Sequence, residues 1–307
     1  MSRIHEALRK AELEITSFGN EEPGVRTQVI QEESAKVPSV VVPAGMPASS
    51  SNAPFSSDDP FDFGYLRAHC PRSRWHLPPT VDVFAQPVND ACAEQFRTLR
   101  SKLYALRNRQ QLRILLVTSA LPREGKSFVV TNLAQAIVRQ ANSRVLIIDA
   151  DLRCSSLHSF MGVNPDPGLT NYLDGDAAET AVIRLGEHDE ANLSLITSGR
   201  AVANPSELLS NGRLKAFLGR LCPAFDWVII DSPPFLSVSD ASILADMCDG
   251  LIFVIKAGST HSAALQKARQ EVHKHKVLGV ILNAVERRTI SYSPAYKRSV
   301  GKPFFVP

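Results

Sequence analysis

Six apolar runs recur between residues 113 and 283: RILLVTSA (113–120), RVLIIDADLR (144–153), LSLIT (193–197), WVIID (227–231), GLIFVIK (250–256) and VLGVILN (277–283). Their apolar residues fall at successive positions rather than alternate ones. A strand of that kind buries both faces. Helix-length segments lie between them, among them SFVVTNLAQAIVRQ (127–140), PSELLSNGRLKAFLGRL (205–221) and SDASILADMC (239–248). Strands alternating with helices, the strands doubly buried, require a mostly parallel sheet covered by helices on both faces, an α/β fold. The chain has 307 residues, 44% of them hydrophobic, enough to fill such a core.

The first run leads into ALPREGKSF (120–128), which ends like the phosphate-binding pattern G-x-x-x-x-G-K-[ST] with Ala120 where the first glycine usually stands. The context fits a P-loop: a strand enters the loop and a helix leaves it. Such a loop aims backbone N–H groups at phosphate oxygens, at the positive end of a helix. Gly125 permits close approach of the backbone, Lys126 reaches the β- and γ-phosphates, and the Ser127 hydroxyl is placed for Mg²⁺. Glu124 and Phe128 complete the expected nucleotide-binding stretch. Ala120 is tolerated because glycine is needed only where φ is positive.

Two acidic motifs share this chemistry. IIDADLR puts Asp149 and Asp151 two residues apart at the C-terminal end of a strand, the edge at which open α/β sheets bind ligands. VIIDSPP ends a second buried strand at Asp231, with Pro233 and Pro234 stopping it, an arrangement that holds Mg²⁺ through water. One such aspartate is ordinarily a cap or a turn residue. Three of them at strand ends with G-K-S argue against that ordinary role and for a P-loop phosphate site served by Mg²⁺. The spacing of Arg153 does not separate a role in the site from that of a surface arginine.

The rest of the chain divides by composition. Residues 1–16 read as a short amphipathic helix, with Ile4, Leu8, Ala11 and Ile15 on one stripe. Residues 17–86 read as a disordered Pro/Ser-rich linker; half of the 20 prolines lie between Pro23 and Pro87. Residues 87–285 form the nucleotide-binding domain, opening with a helix over 89–107. Residues 286–307 read as a flexible basic tail. The five cysteines are scattered and form no C-x-x-C pair, as expected of reduced thiols rather than a disulfide framework or zinc site. A net charge of +3 is too small to imply nucleic acid. The longest apolar run, LIFVI, falls far short of a bilayer span, and the N-terminus lacks a signal peptide's apolar stretch.

P-x-E-G-K-S, then I-I-D-A-D-L-R, then I-I-D-S-P-P, in this order, resembles the bacterial tyrosine kinase family of the CpsD/CapB type. The likeness runs from about 89 to 283 and includes EQFRTLR, GLTNYL, NPSELL and the VILN strand end. It implies an Mg-ATP-dependent protein tyrosine autokinase linked to surface or exopolysaccharide synthesis and export. It implies Lys126 and Ser127 on phosphate and metal, with Asp149, Asp151 and Asp231 around the metal and the attacking hydroxyl. Asn283 falls at the strand end expected near the adenine, although a turn residue would read the same way. Glu94, Arg97 and Arg100 match the family's E-x-x-R-x-x-R helix, which implies a ring-like homo-oligomer. Tyr292 and Tyr296 stand where the family carries autophosphorylated tyrosines, in a much shorter cluster. The resemblance also implies a cytoplasmic protein held at the inner face of the membrane by a copolymerase-type activator. Two alternatives share the fold: a ParA/MinD-type ATPase, whose signature lysine is replaced here by Leu121, and a nucleotide-dependent adaptor without tyrosine phosphorylation.

Overall fold

In the computed structural model the described residues are 60–85, 90–187, 191–285 and the backbone of 305–306. All six apolar runs form strands: β2 (Ile114–Ser119), β3 (Val145–Asp149), β5 (Leu193–Ile196), β6 (Trp227–Asp231), β7 (Gly250–Lys256) and β8 (Val277–Asn283). Three short strands join them: β1 (Arg72–Ser73), β4 (Arg184–Gly186) and β9 (Phe305–Val306). The sheet runs β1-β4-β5-β3-β6-β2-β7-β8-β9. It is parallel except where β4 meets β5 and β9 meets β8.

Each central strand alternates between two apolar layers. Leu116, Leu146, Ile148, Ile230 and Phe253 face one, with the helices Leu169–Asp174, Arg213–Leu221 and Ser262–Val272 over them. Leu115, Val117, Ile147, Ile229 and Val254 face the other, under the helices Asp90–Arg107 and Lys126–Val138. This is why the runs carry no polar alternation. The segment 205–221, read from sequence as one helix, is two helices, Pro205–Ser210 and Arg213–Leu221. Gly212 separates them at φ 84°, in the left-handed region that stops an α-helix.

The expected linker 17–86 is corrected at its C-terminal end. Residues 60–85 are part of the domain. Asp62 accepts a hydrogen bond from Gly64 N–H and caps the helix Phe63–His69. Phe61, Phe63 and Leu66 are buried in one apolar layer and Trp75 and Val83 in the other, with edge strand β1 between them. Asn132 fastens the segment from within the helix Lys126–Val138, accepting from Val83 N–H at 3.1 Å and donating to Val81 O at 2.9 Å. Proline content signals an open chain, but a few large side chains on an existing sheet offset the ordering entropy. The expected flexible tail 286–307 is corrected at its end, where Phe305–Val306 adds an antiparallel edge strand to β8. Residues 1–59 and 286–304, with the N-terminal helix, Tyr292 and Tyr296, lie outside the described residues.

Candidate active site

The strand order decides the site. β6 lies between β2 and β3, and Asp231 pairs in register with Val117 on one side and Asp149 on the other. The P-loop after β2, Asp231 ending β6 and Asp149 ending β3 therefore emerge side by side at the carboxyl edge. Residues far apart in the chain become one site.

Gly125 has φ 95° and caps the helix Lys126–Val138. The positive φ requires glycine, and a Cβ there would also meet the side-chain amide nitrogen of Asn283 at 2.0 Å and displace it. Asn283 donates through Nδ2 to Glu124 O at 2.9 Å, so its side chain secures the loop. Ala120 is fully buried in the apolar layer, where a leading glycine would contribute no packing. Lys126 is buried at the first turn of the helix. Phe128 is partly buried and packs its ring edge-on to Phe96 at 6.1 Å, against one apolar layer.

Ser127 Oγ donates to Asp231 Oδ2 at 2.5 Å. The other oxygen, Oδ1, is buried and has no hydrogen-bond partner. An unpaired carboxylate oxygen in a dry site is costly unless a cation meets it. Burial outweighs the help of Ser127 and Lys126 and pushes the Asp231 carboxyl up to about 7. Asp149, fully enclosed, is held well above the usual carboxylate range by burial and then by the negative charges of Asp231 and Asp151. It accepts from the backbone N–H groups of Asp151 and Leu157, both at 3.3 Å. Asp151 accepts from Cys154 N–H at 3.0 Å, which folds the loop after β3 back over the site. Among the described residues no three His, Cys, Asp or Glu side chains form a closed metal cage. A site completed by water and phosphate oxygens does not need one.

Sequence reasoning missed Ser156, Ser206 and Asp240 and left Arg153 open. Ser156 donates to Ser127 Oγ at 2.8 Å, adding a second hydroxyl beside the Ser127–Asp231 hydrogen bond. Arg153 is no free surface arginine. It grips the fully buried Asp240 at 2.8 Å and Ser206 of the NPSELL segment at 3.1 Å, tying the loop after β3 to two helices. No local pattern links Arg153 to Asp240, since the contact depends on which helices cross the sheet edge. The expected Glu94–Arg97–Arg100 stripe is divided. Arg97 pairs with Glu94 at 2.9 Å on the half-exposed surface, whereas Arg100 donates to Ala136 O at 2.7 Å and binds its helix to Lys126–Val138.

Fold and site together define a P-loop nucleotide-binding protein. Residues 116–306 match the CobQ/CobB/MinD/ParA nucleotide binding domain family (CbiA). The chain is 37% identical over 193 residues to the tyrosine-protein kinase YwqD of Bacillus subtilis (strain 168), covering 62% of this chain and 80% of that one. It is 35% identical over 202 residues to the tyrosine-protein kinase CpsD of Streptococcus agalactiae serotype III, covering 65% and 85%. The kinase domain of Escherichia coli tyrosine kinase ETK superposes with a TM-score of 0.62 at 31% identity, over 76% of this chain and 91% of that domain. Against the whole etk protein of E. coli K12 the match spans 66% of this chain but 28% of the relative. The chain belongs to the bacterial tyrosine-protein kinase family.

Proposed function

We propose that this protein transfers the γ-phosphoryl group of Mg-ATP to tyrosine hydroxyls, including Tyr292 and Tyr296 in the tail of a second copy. The observation that carries this reading is the row of Lys126, Ser127, Asp231 and Asp149 along one sheet edge, with Asp231 Oδ1 buried and unpaired. Lys126 and the loop's backbone N–H groups hold the phosphates. Ser127 and Asp231, with Ser156 behind, are the side chains that would hold Mg²⁺. Bound there, Mg²⁺ neutralises charge on the phosphates. Asp149 has a raised affinity for a proton, which suits it to receive one from an acceptor hydroxyl, with Asp151 beside it.

The acceptor must be brought to the site, and the half-exposed Glu94–Arg97 pair is the surface we assign to contact between copies in a ring. No helix among the described residues is long and apolar enough to cross a membrane. We assign attachment to a membrane machine for surface polysaccharide to a partner of the copolymerase type. Intact mass and phosphopeptide mapping after incubation with Mg-ATP test the reading. Wild type gains phosphate on Tyr292 or Tyr296, the Tyr292→Phe, Tyr296→Phe double variant gains little, and Lys126→Ala gains none while keeping its far-UV circular dichroism. Full phosphorylation of a folded Lys126→Ala protein overturns the site. ATP turnover without phosphotyrosine overturns the kinase in favour of a nucleotide switch.

A further inference from the structure

Glu124 lies inside the P-loop sequence, but its carboxylate is committed to protein donors. The side chain is buried. Oε2 accepts from Leu121 N–H at 2.7 Å, closing the loop on itself. Oε1 accepts from the hydroxyl of Thr260, a buried residue just past the end of β7. The same hydroxyl oxygen accepts from Lys256 N–H at 3.2 Å, which anchors it to the strand. From the end of β8, Asn283 holds the Glu124 carbonyl. Residue 124 is thus tied to its own loop, to the exit of β7 and to the exit of β8.

The loop has reason to need such ties. Arg123 has φ 63° and Gly125 φ 95°, so left-handed conformations stand on both sides of Glu124. For an arginine that conformation is uncommon. A loop whose amides must all point at one phosphate loses affinity when it relaxes, because the freedom then has to be removed on binding.

We propose that Glu124 and Thr260 form a clamp that presets the P-loop for phosphate and so governs nucleotide affinity, neither side chain touching the nucleotide. Both are positioning residues. The inference rests on the reading that this loop binds nucleotide, and it reassigns Glu124 from ligand to brace. The clamp acts before the transition state, so it bears on binding rather than on turnover at saturation.

Calorimetric titration of the full chain with Mg-ADP, with phosphotransfer kinetics on the same samples, tests it. Thr260→Val keeps the shape and removes the hydroxyl. It should weaken Mg-ADP binding and raise the KM for ATP on the order of tenfold or more, the worth of a hydrogen bond to a charged acceptor, with kcat nearly unchanged. Glu124→Gln, which sets an amide N–H₂ against one of the two donors, should show the same split. Thr260→Ser restores the hydroxyl and should restore affinity. Wild-type affinity in Thr260→Val, or equal loss in Thr260→Ser and Thr260→Val, overturns the clamp. A loss confined to kcat overturns it as well. Wild type that fails to bind Mg-ADP at all overturns the nucleotide reading itself, and the clamp with it.

Discussion

Asp231→Asn should abolish phosphotransfer and yet make the metal-free protein more stable at pH 8. The Asp231 carboxyl is moved from 3.8 to about 7, chiefly by burial. Between those values the folded protein holds a proton that the unfolded chain has released. Stability therefore falls as pH rises from about 4 to about 7 and is flat above. At 1.36 kcal/mol per pH unit the displacement corresponds to about 4 kcal/mol lost by the wild type at pH 8. Asparagine removes that loss. It places an amide edge in a site that already has one oxygen unpaired, which costs about 1–3 kcal/mol. The net gain at pH 8 is about 1–3 kcal/mol, or several degrees in melting temperature at roughly 2–4 °C per kcal/mol. At pH 5 the wild type keeps most of its proton in the folded state, and the advantage of the variant disappears. Thermal melts followed by circular dichroism in EDTA at pH 5 and pH 8 measure this directly. Parallel melts with Mg-ADP should stabilise the wild type more than the variant. A variant less stable than wild type at pH 8, or an advantage that grows toward pH 5, would refute the argument that burial of this carboxylate is the dominant cost.

Truncation and helix-surface variants test the fold and the assembly. A chain starting at residue 87 loses Phe61, Phe63, Leu66, Trp75 and Val83 from the two apolar layers. At about 1.5–3 kcal/mol per buried side chain it should unfold at a clearly lower urea concentration than a chain starting at residue 60, and equal midpoints would return 60–85 to a linker. Arg100→Ala removes the donor to Ala136 O and should cost about 1 kcal/mol of stability, whereas Glu94→Ala with Arg97→Ala should cost less than about 0.5 kcal/mol. Light scattering of the Glu94→Ala, Arg97→Ala pair should show a shift toward monomer, and an unchanged mass would leave that pair as an ordinary surface ion pair.

The amino-acid sequence by itself determined the parts of this protein that local chemistry specifies. The six central strands follow from apolar runs bounded by helix-length segments, and the P-loop follows from G-K-S between a strand and a helix. Asp149 and Asp231 were legible because they end buried strands, where a charge is expensive unless it has work to do, and Asp151 because it follows Asp149 by two residues. Tertiary structure alone decided what stands next to what. The register that places β6 between β2 and β3 brings Asp231 to both the P-loop and Asp149. The same is true of Thr260 on Glu124, Asn283 on the loop carbonyl, and Arg153 on Asp240. The segment 60–85 was misread because composition averages over many prolines, whereas a few buried aromatic and aliphatic side chains decide whether a segment docks. Periodicity records which side of a strand faces the core, but it carries no information on which strand lies alongside. That is settled by packing and hydrogen-bond pairing across the whole sheet.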